Sequence, residues 1–126
     1  MSLDPQPLAP ALAAAAEAGW TTVRLDLAGV HSKDALLDRC AGALGLPQWF
    51  GRNWDALADC LVDLSWLAPA PGRLLAVTSW RAYARERPVD WETFEDILGE
   101  AEEFWRESGE GPLEVLLEDR PAGREP

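Results

Sequence analysis

The sequence predicts an α/β domain built on a small three-stranded parallel sheet packed by helices, and three observations predict it. Two stretches alternate apolar and polar residues with a period of two: Val23, Leu25 and Leu27 in one, Leu113, Val115 and Leu117 in the other. Between them lies a continuous apolar run, Leu74-Leu75-Ala76-Val77, after Pro71 and Gly72, the composition of a strand buried on both faces of a parallel sheet. Segments of helical spacing separate the three, giving a βαβαβ order in which the strands run parallel and the crossovers are right-handed.

The elements follow in order. Residues 1–19 read as an N-terminal extension, an Ala-rich helix after Pro10 with Pro5, Pro7 and Pro10 before it, and for want of large apolar residues it is expected to be a weakly packed appendage. The first strand runs from Trp20 to Leu27. Ser32 is positioned to cap a helix whose apolar face is Leu36, Leu37, Cys40, Ala43 and Leu44, and Gly45 followed by Leu46 and Pro47 is a glycine stop. Asn53 caps the next helix, with Asp55 in the first turn where the macrodipole favours an anion, and with Trp54, Leu57, Leu61 and Leu64 as its stripe. Trp80 to Arg87 reads as a short helical turn stopped by Pro88. Asp90 then caps a long helix with the stripe Trp91, Phe94, Ile97, Leu98, Ala101, Phe104 and Trp105, ending near Gly109. Residues 20–119 thus form one domain, and residues 120–126 read as a flexible tail.

Composition narrows the function. A chain of 126 residues fits one core. The longest Ala/Leu stretch, Leu8 to Ala16, is too short to span a bilayer, and Met1 to Pro10 lacks the basic start of a secretory signal, so the expectation is a cytoplasmic protein with no membrane partner. Two cysteines, Cys40 and Cys60, make no disulfide framework and no zinc spacing, and His31 is the sole histidine. Histidine-dependent triads and most transition-metal sites are thereby disfavoured, and the expectation is no catalytic residue, no metal and no cofactor. The 11 basic and 22 acidic residues give a net charge of −11, which argues against nucleic acid as a direct partner and for a basic one. From Asp90 to Asp119 there are 12 acidic residues and one basic, Arg106. For most of these the plain reading is a solvated helix face.

The informative segment is Leu46-Pro47-Gln48-Trp49-Phe50-Gly51-Arg52-Asn53-Trp54-Asp55-Ala56-Leu57-Ala58-Asp59-Cys60-Leu61. At about 100° per residue, Asp55, Asp59 and Asp63 fall within roughly 80°, opposite Leu57, Leu61 and Leu64. Like charges at i, i+4 weaken a helix by a few tenths of a kcal/mol per pair, so folding does not ask for this row. Ordinary solvent-facing acids are the alternative. Beside the row, Trp49 and Phe50 are adjacent aromatics in a short Pro-to-Gly loop, and one of them is hard to bury there. Aromatic anchors beside charges are the ingredients of a tight interface.

At these residues the sequence resembles the barstar family of ribonuclease inhibitors, most densely in LPQWFGRNWDALADCL and again in the Trp80-Arg81-Ala82-Tyr83 step after the second strand. The resemblance spans about Thr22 to Asp119. It implies a small cytoplasmic protein, not an enzyme, that occludes the active site of a basic, barnase-like ribonuclease and protects the producing cell. Asp59 then matches the central carboxylate that enters the phosphate site. Asp55 matches a second acidic contact, and Asn53 a cap that also reaches the partner. Trp49 stands where the family's prototype has a tyrosine, and Gly51 keeps the loop tight. Asp63 falls at the rim of the arc. Ala58 and Leu64 replace tryptophans of the prototype and Arg52 replaces an acid, so the target can differ. One glutamate of the last helix also contributes in the prototype, with Glu102, Glu103 and Glu107 as candidates here.

Two other readings compete. Asp55 and Asp59 can be written as Mg²⁺ ligands of a hydrolase, but only Arg52 is nearby to converge on a phosphate. The same scaffold can also serve as an immunity or regulatory module against a different nuclease or toxin.

Overall fold

A computed structural model describes residues 3–47 and 50–119. The elements are β1 (Pro5–Gln6), α1 (Leu8–Glu17), β2 (Thr21–Asp26), α2 (Lys33–Leu44), α3 (Trp54–Leu61), β3 (Arg73–Thr78), α4 (Arg81–Glu86), α5 (Pro88–Ser108) and β4 (Leu113–Glu118). The sheet is parallel with strand order β1-β4-β3-β2. It therefore has four strands, not the three the periodicity predicts. The fourth is a two-residue edge strand in which Pro5 pairs with Leu117 and Gln6 with Glu118. A pair of residues shows no alternation to read, and a proline, lacking an N–H, is tolerated only at an edge.

The topology fixes where the helices lie. From β2 to β3 to β4 the chain steps one way across the sheet. From β1 to β2 it crosses the whole sheet the other way, so a connection of the same hand must put its helix on the opposite face. Leu25, Leu75, Val77, Leu113 and Leu117 point into the main core with α2, α3, α4 and α5. Leu74 and Leu116, one residue out of phase, form a second small core with Ala15, against which Leu8, Ala11, Leu12 and Trp20 pack. α1 thus lies on the back face and covers the centre of the sheet.

β1 reaches only the C-terminal end of β4. Beyond it the edge-facing N–H of Val115 donates to Glu102 Oε2 at 2.7 Å, so a carboxylate from α5 satisfies an edge donor that another strand would otherwise use. Burial raises the Glu102 carboxyl above its usual range, partly offset by that hydrogen bond.

Several helix ends follow local chemistry. Ser32 accepts from the Ala35 N–H at 3.1 Å and Gly45 closes α2 in the left-handed region, φ 62°. At the start of α5 the expectation fails: Arg87 holds the N-cap position without a side-chain bond, Pro88 is the first helical residue, and Asp90 sits in the first turn with Arg87 Nη1 at 3.6 Å. Pro88 opens the long helix, since its fixed φ suits the N1 position. The stripe of α5 is buried at Trp91, Phe94, Ile97, Leu98, Ala101 and Trp105, but Phe104 is 45% exposed. Trp80 stacks on Trp91 with centroids 5.3 Å apart and planes at 7°, and its Nε1 donates to the Glu118 carbonyl at 3.0 Å.

Candidate functional site

The candidate site is built by α3 and the turn before it. Asn53 is its keystone: Oδ1 accepts from the Ala56 N–H at 2.7 Å, while Nδ2 donates to the Gly51 carbonyl at 3.4 Å. One side chain thus caps the helix and holds the loop. Gly51 packs closely here: a Cβ there would lie 3.2 Å from Asn53 Nδ2, so that the capping amide would have to shift by a few tenths of an ångström, and at ordinary contact distance, 3.7 Å, from the Ala56 Cβ. Between them Arg52 takes a left-handed φ of 54°, a conformation costly for a side chain with a Cβ. Its guanidinium forms an ion pair with Asp38 of α2.

That pairing decides the electrostatics of the helix. Asp55 and Asp59 are exposed on the solvent side of α3, opposite the buried Leu57, Cys60 and Leu61. Among the described residues neither makes a salt bridge, and the cation nearest in sequence is directed to Asp38. Lys33 lies over the Trp54 ring at 5.8 Å from its centroid.

The third acid of the row is displaced from the helix. α3 ends at Leu61, and Asp63 lies in the following turn, where its N–H and that of Leu64 both donate to the Cys60 carbonyl at 3.1 Å. Leu64 itself has φ 53° and a buried side chain. Asp63 is therefore not the third rung of a helical ladder, although it stays exposed and beside the row. Burial raises the Cys60 thiol above its usual range, with Asp63 and then Asp59 adding negative charge to the same effect.

Of the two loop aromatics, Phe50 is 7% exposed and belongs to the main core. Its N–H donates to the Pro47 carbonyl at 2.9 Å. Trp49, the aromatic singled out beside the acidic row, lies outside the described residues. The glutamates of α5 separate in role. Glu102 is half-buried and held by Val115, whereas Glu103 and Glu107 face solvent. Cys40 and Cys60 are both buried and unpaired thiols. Among the described residues no three His, Cys, Asp or Glu side chains come together as metal ligands, and no helix is long and apolar enough to cross a membrane.

A family model described as Barstar (barnase inhibitor) matches residues 20–118. The chain belongs to the barstar family. No curated protein gave a significant match to it. The matched span begins at Trp20 and ends at the last residue of β4, so it takes in β2, β3 and β4 and all the helices on the main face, α3 included. β1 and α1 lie outside it. The barstar-family assignment brings with it, at the level of the family, inhibition of barnase-like ribonucleases by protein–protein contact.

Proposed function

We propose that this barstar-family protein is a cytoplasmic inhibitor of a barnase-like ribonuclease and has no catalytic activity of its own. The surface formed by α3 and its preceding loop blocks the enzyme's active site. The observation that carries this reading is the exposed pair Asp55 and Asp59, one helical turn apart and without a salt bridge among the described residues, while Arg52 is held by Asp38. A ribonuclease site binds phosphates with cationic side chains, and two carboxylates at helical spacing offer those cations the anions they are arranged for.

In this reading Asp59 enters the phosphate site, Asp55 pairs with a cation one turn away, and Asn53 contributes from the cap. Gly51 lets the partner approach the loop, Trp49 supplies the aromatic contact, and Asp63 acts at the rim. Rigid support comes from below, since Leu57, Cys60 and Leu61 are fully buried and fix the outward direction of the acids.

A direct test is a titration of the purified protein into barnase with an RNA substrate. Stoichiometric loss of activity is expected, with an association rate that falls as salt rises, because the −11 net charge steers encounter and is screened beyond about 10 Å at 0.1 M. Unchanged ribonuclease activity at excess protein contradicts the proposal.

A further inference from the structure

The two edges of the sheet are finished differently. On the β4 side β1 pairs with Leu117 and Glu118, and Glu102 takes the Val115 N–H. On the other side β2 has no neighbouring strand. The Thr21 and Leu27 N–H groups donate to the Gly72 and Thr78 carbonyls at the two ends of β3, so by the alternation of the ladder the peptide groups of Thr22, Arg24 and Asp26 face outward. Arg39 of α2 closes only the last part of this edge, with Nη1 donating to the Asp26 carbonyl and, at 3.3 Å, to the Ala28 carbonyl. The peptide groups of Thr22 and Arg24 have no partner among the described residues. Along the edge runs a cleft of about 590 Å³ between β2 and α2, lined by Arg24, Asp26, Asp38 and Arg39 and by the small residues Ala35 and Gly42. A Cβ on Gly42 would meet nothing within 4 Å, so α2 leaves open space there.

We infer that this edge joins two copies of the chain, β2 pairing antiparallel with β2 of a second copy so that each Arg24 lies opposite the Asp26 of the other. The inference does not rest on the reading of α3. A two-fold interface has to be self-complementary, and the cleft carries two cations and two anions although the whole chain carries −11. Charge also selects the register, because outward peptide groups must meet outward ones. A two-fold axis at Arg24 sets like charges face to face, and one at Val23 sets Arg24 against Thr22. An axis at Leu25 sets each Arg24 against an Asp26 and gains a cross-strand ion pair on both sides. The Asp26 carboxyl is held below its usual range, chiefly by the bond from the Ala28 N–H, and so is ionised at neutral pH. Its carbonyl keeps a second lone pair beside Arg39. The acidic α5 does not oppose the pairing. α2 packs on β2 and α5 on β4, which keeps the two α5 helices five strand spacings, about 24 Å, apart, beyond the screening length of about 10 Å at 0.1 M salt.

The experiment is sedimentation of the full chain from low micromolar to submillimolar protein, with amide exchange over the same range. A seam of two residue pairs is short, so the expected result is a weak dimer that grows with concentration. Exchange should slow at the Arg24 and Asp26 amides as the dimer forms, and not at Thr22. Arg24→Glu, which turns two attractive pairs into repulsive ones, should weaken the dimer about tenfold or more. Gly42→Gln fills the cleft from α2 and removes a glycine from a helix interior, so it should melt at or above the parent and also weaken the dimer. A parent that stays monomeric throughout, a dimer that either variant leaves unchanged, or protection of Thr22 in place of Asp26 overturns the inference. Each of these readings is made without barnase, so the reading of α3 stands or falls separately.

Discussion

The indole Nε1 of Trp105 donates a 2.7 Å hydrogen bond to the carbonyl oxygen of Leu61, and both residues are buried. Leu61 is the last residue of α3, where carbonyls have no intrahelical partner. A side chain from α5 thus caps the C-terminal end of the helix whose N-terminal end Asn53 caps. Trp105→Phe removes the donor and leaves a buried carbonyl unsatisfied, at a cost of about 1 to 3 kcal/mol. Urea unfolding should show a lower midpoint; an unchanged midpoint contradicts this role of the bond.

At the other end of α3, Asn53→Ala removes the bond to the Ala56 N–H and the tie to the Gly51 carbonyl together. Loss of an N-cap costs about 0.5 to 2 kcal/mol. Asn53→Asp keeps the acceptor and loses only the donor to Gly51, so it should recover most of the stability. Equal destabilisation by the two variants would show that the loop tie, not the cap, holds the helix start.

Alkaline pH gives an independent check of the core. Burial pushes the Cys40 thiol from the usual 9.0 to about 12, and mainly burial, with the Asp90 charge, pushes the Tyr83 phenol from 10.0 to about 12. A group whose folded pKa lies above its unfolded one contributes stability fully present below the unfolded value and lost as pH rises towards the folded value. Stability should therefore fall between about pH 9 and 12, and Cys40→Ala, less stable at neutral pH because it opens a cavity, should show a shallower fall. A thiol reagent that modifies Cys40 in the native protein at pH 8 contradicts the assigned burial.

The parts of this fold that were legible in the sequence are those set by local chemistry. Ser32, Gly45 and Asn53 act on backbone groups within a few residues, so their residue types announce them. β2, β3 and β4 were legible because each carries its own apolar pattern. β1 was not, since its pairing with Leu117 and Glu118 is a contact between opposite ends of the chain.

Asp63 illustrates a second limit. A helical wheel places it on the row only if α3 continues, and the left-handed Leu64 shows that it stops. For Phe104 the wheel gives the direction of the stripe but not the width of the arc that neighbours cover. Trp105 takes the inward place against Leu61, and Phe104 beside it is left at the margin. The acidic pair was legible because Asp55 and Asp59 are like charges one turn apart on the side opposite the apolar stripe, even though Asp55 by itself is favoured in the first turn. Its isolation from Arg52 was not, since the Asp38 partner belongs to another helix.

The central claim is that the α3 carboxylates are the inhibitory surface, and a ribonuclease inhibition titration of Asp59→Ala, Asp55→Ala and Asp63→Ala against the parent tests it most directly. Asp59→Ala should lose most, about 2 to 5 kcal/mol or more, a range for buried interfacial charge pairs to which the family's prototype complex itself contributes. Asp55→Ala should follow, and Asp63→Ala, exposed in the turn beyond the helix, should lose about 0 to 1 kcal/mol. The melt of Asp59→Ala should match the parent or rise slightly as its repulsion with Asp55 is relieved, that of Asp55→Ala should stay close to the parent because the same relief is offset by loss of an anion from the first turn, and that of Asp63→Ala, beyond the helix, should be unchanged. If Asp59→Ala inhibits barnase as well as the parent does, α3 is not the inhibitory surface.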